Sequence, residues 1–474
     1  MQGIYFKSKK GNNYFYNDLT GFIQNMSDLD KENKASEKYI RLSNDRRLTN
    51  LNNNIFANAN LLTKYLYDSA NGFKQLLIET TSQCNLRCKY CVYSDHYQYT
   101  KTYANNYMDF KTAKMAVDYY FKNIEKIIYR NPTRTPVIGF YGGEPLLNFK
   151  LIKEIVEYIN STYSFYDEIQ YNVTTNGILF KDEIQDFLVK NNFAIIISLD
   201  GNKENHDRNR VKVDGTGTFD DIMRNIRDFR LKYKDYLKLG ISSCYDTKSD
   251  LLKYKEFFDK ENLFIAKLTP IDPNNTTYYD QFTDEDILKF NNSYKALRDL
   301  FLEEAKNDCV RKDSFLYSVI GISYSEFAIH PVINETRPDI SPYTASCIPG
   351  EKIYVTTDGK YHICEKINTN HSIGNVNEGL DFGKMVNMIN EYRKATTSDC
   401  SECNVSRFCY LCYQHCSTDK GFTKPENVCS KLENYIKDML ENFINVLEEK
   451  PDIFEDITIE YYNTIYEMAG ILIE

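Results

Sequence analysis

The stretch LLIETTSQCNLRCKYC, residues 76–91, joins a short apolar run to three closely spaced cysteines. The run at 76–78 has the composition of a buried strand. Cys84, Cys88 and Cys91 follow it with CxxxCxxC spacing. Three thiolates can hold three irons of a four-iron cubane and leave the fourth iron open to a small molecule. The spacing taken alone is also compatible with a zinc loop.

The alternation of short apolar runs and helical stretches continues to about residue 275. The expected strands lie near 76–78, 137–141, 168–174, 193–198, 238–243 and 264–269. Such alternation calls for parallel strands joined by right-handed crossovers. We therefore predict an α/β fold, a partial (βα)6 parallel barrel, with its chemistry at the carboxyl ends of the strands.

Polar and glycine residues follow these strands where the chemistry is expected. GGEP, residues 142–145, follows the second strand, and TNG, residues 175–177, follows the third. Ser198 closes the fourth strand. Each of these residues is also a common turn former or helix cap, so the pattern gains its meaning from the cysteines beside it.

A second set of cysteines lies far downstream of the first. Eight thiolates are enough for two more cubanes at four each. The set consists of Cys347, Cys364, Cys400, Cys403, Cys409, Cys412, Cys416 and Cys429. A zinc site built from the group at 400–412 is the alternative, but it would leave four cysteines without a role. Cys244 and Cys309 belong to neither set, and we predict that both are small buried side chains.

Length and patterning predict five units. A small N-terminal α+β unit, with an expected hairpin near its start, is followed by the barrel and by helices. A loop-rich, cysteine-dense region comes next, where metal substitutes for a large core. The expected boundaries are 1–74, 75–275, 276–345, 346–430 and 431–474.

Composition and charge predict the compartment of the protein and argue against some classes of partner. The 474 residues carry a net charge of -9, which argues weakly against nucleic acid as a partner. Neither a signal peptide nor an apolar run of membrane-spanning length is evident, so we predict a cytoplasmic protein without a membrane partner. In a reducing compartment many cysteines indicate metal or catalysis more often than disulfides.

CNLRCKYC after a strand, followed by GGEP and TNG, resembles the radical S-adenosylmethionine (SAM) superfamily over about residues 75–270. The resemblance implies that Cys84, Cys88 and Cys91 hold a [4Fe-4S] cluster. SAM would bind its open iron and would be cleaved by one electron to a 5′-deoxyadenosyl radical.

The same resemblance assigns further residues to SAM. Tyr90 would lie near the adenine, and Gly142, Gly143 and Glu144 would bind the amine, since a carboxylate suits an ammonium group. Three residues would line the ribose side: Thr175, Asn176 and Ser198.

SLDGNKENHDRNR, residues 198–210, resembles a run found in SPASM-type peptide and protein maturases. In that branch the final arginine tends to pair with the SAM carboxylate. Arg210 is therefore the predicted partner, and Arg208 is the second candidate. We predict a structural role for His206.

The second cysteine set resembles a SPASM domain, which carries one or two auxiliary [4Fe-4S] clusters. The resemblance assigns Cys400, Cys403, Cys409 and Cys429 to the cluster distal to the active site. The nearer cluster would take Cys347, Cys364 and one or both of Cys412 and Cys416. The chain departs from the common pattern here, because two residues rather than three separate Cys409 from Cys412.

Glu365 follows Cys364 directly, where a related sulfatase-maturing enzyme places an aspartate base. The resemblance therefore suggests Glu365 as a catalytic base that accepts a proton as a substrate radical is oxidised. A surface carboxylate without a catalytic role is the alternative.

The chain is most similar to maturases of ribosomally made peptides, many of which join a cysteine thiol to a carbon as a thioether. We predict a thioether-forming (sactipeptide or ranthipeptide) maturase whose partners are a precursor peptide with a leader and an electron donor such as flavodoxin or ferredoxin. Residues 1–74 would recognise the leader or pack as a cap on the barrel. The alternatives are a sulfatase-type maturase, a carbon–carbon crosslinking enzyme, an epimerase and a metal-stabilised binding protein without catalysis.

Overall fold

The computed structural model describes residues 2–26, 58–68, 72–97, 100–128, 134–329, 347–398 and 400–456. The parts of the predicted N-terminal unit at 27–57, of the helical bridge at 330–345 and of the C-terminal helices at 457–474 lie outside the described residues. None of the helices in the described ranges is long and apolar enough to cross a membrane.

The N-terminal strands form a small antiparallel sheet, and the expected hairpin is present. Strand β1 (Gly3–Lys7) pairs with β2 (Asn13–Asn17), which pairs with β3 (Ile23–Asn25). Helix α1 (Ala59–Asp68) buries Leu62 and Leu66.

Six parallel strands form the centre of the protein, which confirms the predicted α/β barrel-type fold. They pair in chain order: β4 (Gln75–Thr81), β5 (Val137–Gly142), β6 (Gln170–Thr175), β7 (Ala194–Ser198), β8 (Leu239–Tyr245) and β9 (Ile265–Pro270). Helices alternate with them: α2 (Phe110–Ile128), α3 (Phe149–Thr162), α4 (Asp182–Lys190), α5 (Lys203–Asn209), α6 (Phe219–Lys232) and α7 (Leu251–Glu261).

Alternate strand residues face the helices and form the core. Ile138 and Phe140 in β5 and Ile195 and Ile197 in β7 are completely buried. Ser198 and its neighbours two apart along β7 are only partly buried. Because successive side chains point to opposite faces, the second face of the sheet is left to line the inside of the barrel.

The C-terminal half adds both helices and strands. Its elements are α8 (Asp284–Lys306), α9 (Ile322–Ala328), β10 (Lys352–Val355), β11 (Lys360–His362), β12 (Gly374–Asn375), β13 (Gly379–Leu380), α10 (Phe382–Thr396), α11 (Tyr413–Cys416), β14 (Ser417–Thr418), β15 (Gly421–Phe422) and α12 (Val428–Leu447).

Strand β10 joins the barrel sheet, a connection that the sequence did not predict. It pairs in parallel with β4, with Lys352 opposite Gln75 and Val355 opposite Ile78. The described sheet thus has ten strands in the order β13-β12-β11-β10-β4-β5-β6-β7-β8-β9. The region expected to be loop-rich contains these strands because two to four residues are too few to give a periodic signal.

A buried ion pair stabilises the junction between β4 and β10. Lys101 Nζ lies 3.3 Å from Glu79 Oε1, and both side chains are almost completely buried. Tyr93 donates to Glu79 at 2.6 Å, and Lys101 Nζ reaches the hydroxyl of Tyr354 in β10 at 2.5 Å. Burial lowers the pKa of Lys101, and the charge of Glu79 opposes that shift.

We expect Lys101→Ala to lower the free energy of unfolding by about 3–5 kcal/mol, because it leaves the buried Glu79 charge without its partner. Denaturant unfolding of the metal-free protein, followed by circular dichroism, measures the change. Lys289→Ala removes an exposed pair with Glu285 and serves as the control with little effect. Equal effects of the two substitutions would show that the buried pair does not stabilise the junction.

Candidate functional site

The first cysteine loop leaves the carboxyl end of β4 and is pinned to the segment that follows α5. Arg87 N donates to Val211 O at 2.8 Å, and Lys89 N donates to Asn209 O at 3.0 Å. Within the loop, Cys84 and Cys88 are buried and Cys91 is half-buried. These two backbone hydrogen bonds fix the position of the loop relative to the end of α5 and the residues after it.

Hydrogen-bond donors point at the sulfur atoms of this loop. Leu86 N lies 3.4 Å and Asn176 Nδ2 3.8 Å from Cys84 Sγ, while Arg210 Nη1 lies 3.9 Å from Cys88 Sγ. Donors around thiolate ligands stabilise their charge and tune the potential of iron–sulfur clusters. The surroundings of these thiols fit a cluster with cysteine ligands.

The raised pKa of the thiols is also consistent with metal binding. Burial raises the pKa of Cys84 to about 12, and the charge of Glu144 adds to the effect. A buried thiol of this kind is neutral by itself, and a bound metal cation deprotonates it. Within the described ranges, no set of three or more Cys, His, Asp or Glu side chains is gathered around a single-ion site. A cubane instead places each thiolate on a different iron.

The glycine pair after β5 lies in backbone contact with the cysteine loop. A Cβ atom on Gly142, whose φ is +138°, would lie 2.2 Å from Thr81 O, and one on Gly143 would lie 2.3 Å from Gln83 O. Gly143 N donates to Thr81 O at 2.9 Å. Only glycine allows the two segments to approach this closely.

The side chain of Glu144 is completely buried and accepts three hydrogen bonds. Thr175 Oγ1 donates at 2.7 Å, Asn176 N at 2.7 Å and Leu146 N at 3.0 Å. Burial raises the pKa of Glu144 to about 7, and these hydrogen bonds oppose the rise. The carboxylate thus links the ends of β5 and β6 and positions Asn176 near Cys84.

A buried carboxylate that the sequence analysis did not single out, Asp200, connects two predicted SAM residues. Its Oδ2 accepts from Arg210 Nε at 2.8 Å and from the hydroxyl of Tyr90. The Arg210 guanidinium lies over the Tyr90 ring at 5.4 Å from its centroid. The sequence did contain one indication of this residue: Asp200 comes two residues after β7, at the edge of the sheet where the chemistry is predicted.

The structure separates the two candidate arginines. Arg208 makes two 2.8 Å bonds to the carboxylate of Asp246, and this partner holds its guanidinium away from the cysteine loop. Arg210 lies beside Cys88 and Tyr90, and its pairing with the SAM carboxylate stays a prediction. His206 is completely buried between Asp200 N and Thr218 Oγ1, which fits a structural role, and burial lowers its pKa to about 4.

The two cysteines outside the sets differ from the prediction. Cys309 is exposed in the polar segment after α8, so the expectation of a buried side chain is wrong for it. Cys244 is half-buried at the end of β8, where its backbone N–H donates to Asp200 Oδ1 at 2.8 Å. Tyr103 was also missed: its ring faces the Arg87 guanidinium at 4.3 Å, and burial together with the charge of Cys91 raises its pKa.

Two groups of thiols can be distinguished in the second cysteine set by which of them influence one another's ionisation. Burial raises the pKa of Cys409 to about 12, and charge on Cys400, Cys403 or Cys429 would raise it further. These four are the residues predicted for the distal cluster. Their donor set of four thiols fits a cubane.

The other group contains Cys347, Cys364 and Cys412: burial raises the pKa of Cys347 and of Cys364, and charge on Cys412 would add to both shifts. Cys416 is completely buried, and its charge interacts with those of both Cys412 and Cys409. Cys412 Sγ lies 3.6 Å from His415 Nδ1. The assignment of one or both of Cys412 and Cys416 to the nearer cluster stays a prediction, and Cys412 influences both upstream thiols.

Glu365 is not a surface carboxylate. Its side chain is 18% exposed and lies 2.5 Å from Lys352 Nζ. The charge of Lys352 holds the pKa of Glu365 below its usual value against the opposing effect of burial. The predicted base is therefore ionised and already paired with a cation.

Residues 78–244 match the family model of the Radical SAM superfamily. This match contains the first cysteine loop, the glycine pair and Arg210. The cofactors of this superfamily are a [4Fe-4S] cluster and SAM, and the cysteine-rich C-terminal region fits auxiliary clusters.

Three curated proteins are similar to parts of the chain. An uncharacterized protein of Methanocaldococcus jannaschii is 41% identical over 130 residues, 27% of this chain and 40% of its own. A cysteine-type anaerobic sulfatase-maturating enzyme of Clostridium novyi is 29% identical over 202 residues, 42% of this chain and 52% of its own. The radical SAM cyclopropyl synthase of Paramaledivibacter caminithermalis is 26% identical over 225 residues, 45% of this chain and 44% of its own. The chain spans about half the length of these relatives or less.

Among solved structures, native anSMEcpe with bound AdoMet and a Cp18Cys peptide is similar in fold. The TM-score is 0.60 at 20% identity, and the alignment covers 79% of this chain and 98% of that one. At this identity the likeness supports the fold alone.

We expect Gly143→Ala to destabilise the protein by about 1–3 kcal/mol, because the new methyl group forces the cysteine loop away from β5. Reconstituted variant protein should also retain less iron than the parent chain. Gly383→Ala, at the start of α10, is the control, since its Cβ would approach only the Asp381 side chain, at 3.2 Å. Iron content and thermal unfolding equal to those of the control would disprove the close-contact explanation.

Proposed function

We propose that this chain is a radical SAM maturase that modifies a peptide or protein substrate, and that its reaction installs a thioether between a cysteine thiol and a carbon of another residue. The carrying observation is the convergence of the first cysteine loop, the Gly142–Glu144 turn and Arg210 on one end of the barrel. The match to the superfamily over 78–244 supports the SAM chemistry. The substrate and the bond formed are part of the proposal.

When bound, the cluster held by Cys84, Cys88 and Cys91 supplies the electron that cleaves SAM to a 5′-deoxyadenosyl radical. The chain's own residues position SAM. We propose that the turn at 142–144 binds its amine and that the strand ends at Thr175, Asn176 and Ser198 border its ribose. Three donors enclose the Glu144 carboxylate. Its negative charge would therefore attract the SAM amine from the buried side of this turn.

Arg210 is the proposed partner of the SAM carboxylate. Asp200 holds its Nε at 2.8 Å, which fixes the guanidinium plane beside Cys88. A planar guanidinium held in this way presents its remaining N–H groups to a carboxylate with little loss of freedom on binding. Tyr90, linked to the same Asp200, would then border the adenine.

The proposed crosslink removes two hydrogens from the substrate. One would leave as an atom with 5′-deoxyadenosine. The other would leave as a proton, and its electron would pass to the auxiliary cluster that Cys347, Cys364 and one or both of Cys412 and Cys416 would hold. Glu365 is the proposed proton acceptor, because it is ionised and lies next to Cys364 of the nearer auxiliary group. Lys352 would stay close as the proton arrives and would keep Glu365 a weak base.

A sulfatase-type maturase is the second candidate. It is favoured by the 29% identity to the cysteine-type sulfatase-maturating enzyme over 202 residues. The two reactions share SAM cleavage and the removal of hydrogen from a carbon of the substrate. They differ in the product, because a sulfatase-type reaction removes sulfur from a cysteine and a thioether retains it.

Anaerobic turnover with any small cysteine-containing peptide encoded beside this gene tests the proposal. We expect 5′-deoxyadenosine and a peptide that has lost two hydrogens and carries a sulfur-to-carbon link in its fragment spectrum. Alanine at Cys84, Cys88 and Cys91 should abolish both products. Loss of peptide sulfur would favour the sulfatase-type reaction, and deuterium uptake from heavy water without other mass change would indicate epimerisation. Absence of 5′-deoxyadenosine from reduced, iron-loaded protein would refute the SAM chemistry.

The raised pKa of Glu144, about 7, predicts a pH dependence of SAM binding. Below that pH the carboxyl is neutral and no longer attracts the SAM ammonium, so Kd should rise as the pH falls, approaching about tenfold per unit. Equilibrium dialysis of iron-loaded protein between pH 8 and 5.5 measures this change. Glu144→Gln should bind SAM at least about tenfold more weakly at pH 8 and lose the pH dependence.

The exposed Glu204, paired with Lys253 in this structure, provides the matched control. Glu204→Gln should retain the parent's affinity and its pH profile. A Glu144→Gln variant that binds SAM as the parent does would contradict the proposed influence of this carboxylate.

A further inference from the structure

The segment between Cys403 and Cys409 contacts the N-terminal sheet along its length. Residues 404–408 separate the second and third cysteines of the distal group, and only a single 3-10 turn, Ser406–Phe408, lies among them. Few backbone bonds stabilise this segment internally, among them Phe408 N to Val405 O at 3.0 Å. Its conformation must therefore come largely from what packs against it.

Asp18, just after β2, supplies the central contact. Its side chain is completely buried. One carboxylate oxygen accepts from Ser406 Oγ at 2.5 Å, and the other accepts from Arg407 N at 3.1 Å and from Tyr16 Oη at 3.0 Å. A single N-terminal carboxylate thus holds a side chain and a backbone group of the cysteine loop together.

Four more interactions join the N-terminal sheet and the turn after β2 to this segment. The Arg407 guanidinium donates to the backbone oxygens of Asp18 and Leu19, each at 2.7 Å. Gly3 N donates to Asn404 Oδ1 at 3.1 Å, and the Tyr16 and Phe408 rings lie 5.2 Å apart. The contacts therefore involve both ends of the segment and its middle.

We infer that the N-terminal sheet is a clamp for the distal cysteine loop and that Asp18 is a positioning residue for the cluster held there. The clamp fixes the spacing of Cys403 and Cys409 before metal binds, so the loop loses less conformational entropy when the cluster binds. This inference rests on the assignment of Cys400, Cys403, Cys409 and Cys429 as cluster ligands. It does not depend on the substrate or on the bond that is formed.

Iron, acid-labile sulfide and electron paramagnetic resonance of the reconstituted full chain test the clamp. With three cubanes the parent should hold about twelve irons, and Asp18→Ala should hold about eight. The resonance that responds to SAM should persist in the variant, because the first cysteine loop is not touched. An unchanged iron content with all parent resonances would overturn the inference.

Lys9→Ala is the matched control, since Lys9 joins the same N-terminal unit to Asp299 through an exposed pair at 3.0 Å. It should leave the iron content and every resonance unchanged. Loss of the distal cluster in this control as well would mean that general loosening of the unit, and not Asp18, is responsible.

A milder variant covers the case in which Asp18→Ala does not fold. Asp18→Asn keeps an acceptor for Arg407 N and should retain more iron than Asp18→Ala. In the metal-free protein, amide hydrogen exchange over 400–409 should be at least about tenfold faster in Asp18→Asn than in the parent. Exchange in β4–β7 should not change. Equal exchange over 400–409 in the two proteins would overturn the clamp even where activity is absent for other reasons.

Discussion

The carboxyl ends of β4 and β5 approach each other at backbone distance, and this contact determines where the reactive groups can lie. Gly142 and Gly143 have no side chains to separate the two segments, so the chain before Cys84 rests directly on the turn after β5. Glu144 then extends the contact to β6 through Thr175 and Asn176. A thiol loop, a carboxylate and an amide are thereby placed around one small volume.

Burial of charge gives this region its chemical character. Glu144, Asp200 and Arg210 are almost entirely removed from water, and each has partners aimed at it by the ends of the strands. Fields between such groups are weakly screened, so a ligand that carries both an ammonium and a carboxylate meets complementary charges already in place. The same removal from water keeps the free thiols neutral and makes them depend on a bound cation for ionisation.

The sequence predicted the six barrel strands to within a few residues because each is an apolar run bounded by turn formers. It also identified the glycine pair, Glu144 and Arg210, since these lie in contiguous motifs. Asp200 and Tyr103 were missed because their contacts form only in the folded chain. The pairing of β10 with β4 and the packing of the N-terminal sheet against residues 404–408 were missed for the same reason: very short strands and scattered polar contacts leave no periodic pattern.

The pairing of β10 with β4 has a consequence for how such chains can diversify. Side chains alternate along a strand, so a shift of one residue in this register would turn Lys352 and Tyr354 to the opposite face. Glu365 would lose its cation, and Lys101 would lose the Tyr354 hydroxyl. A single-residue insertion or deletion just before Lys352 that shifts this register would therefore break both contacts. An exchanged C-terminal region could function on this barrel only if it brought a strand in the same register.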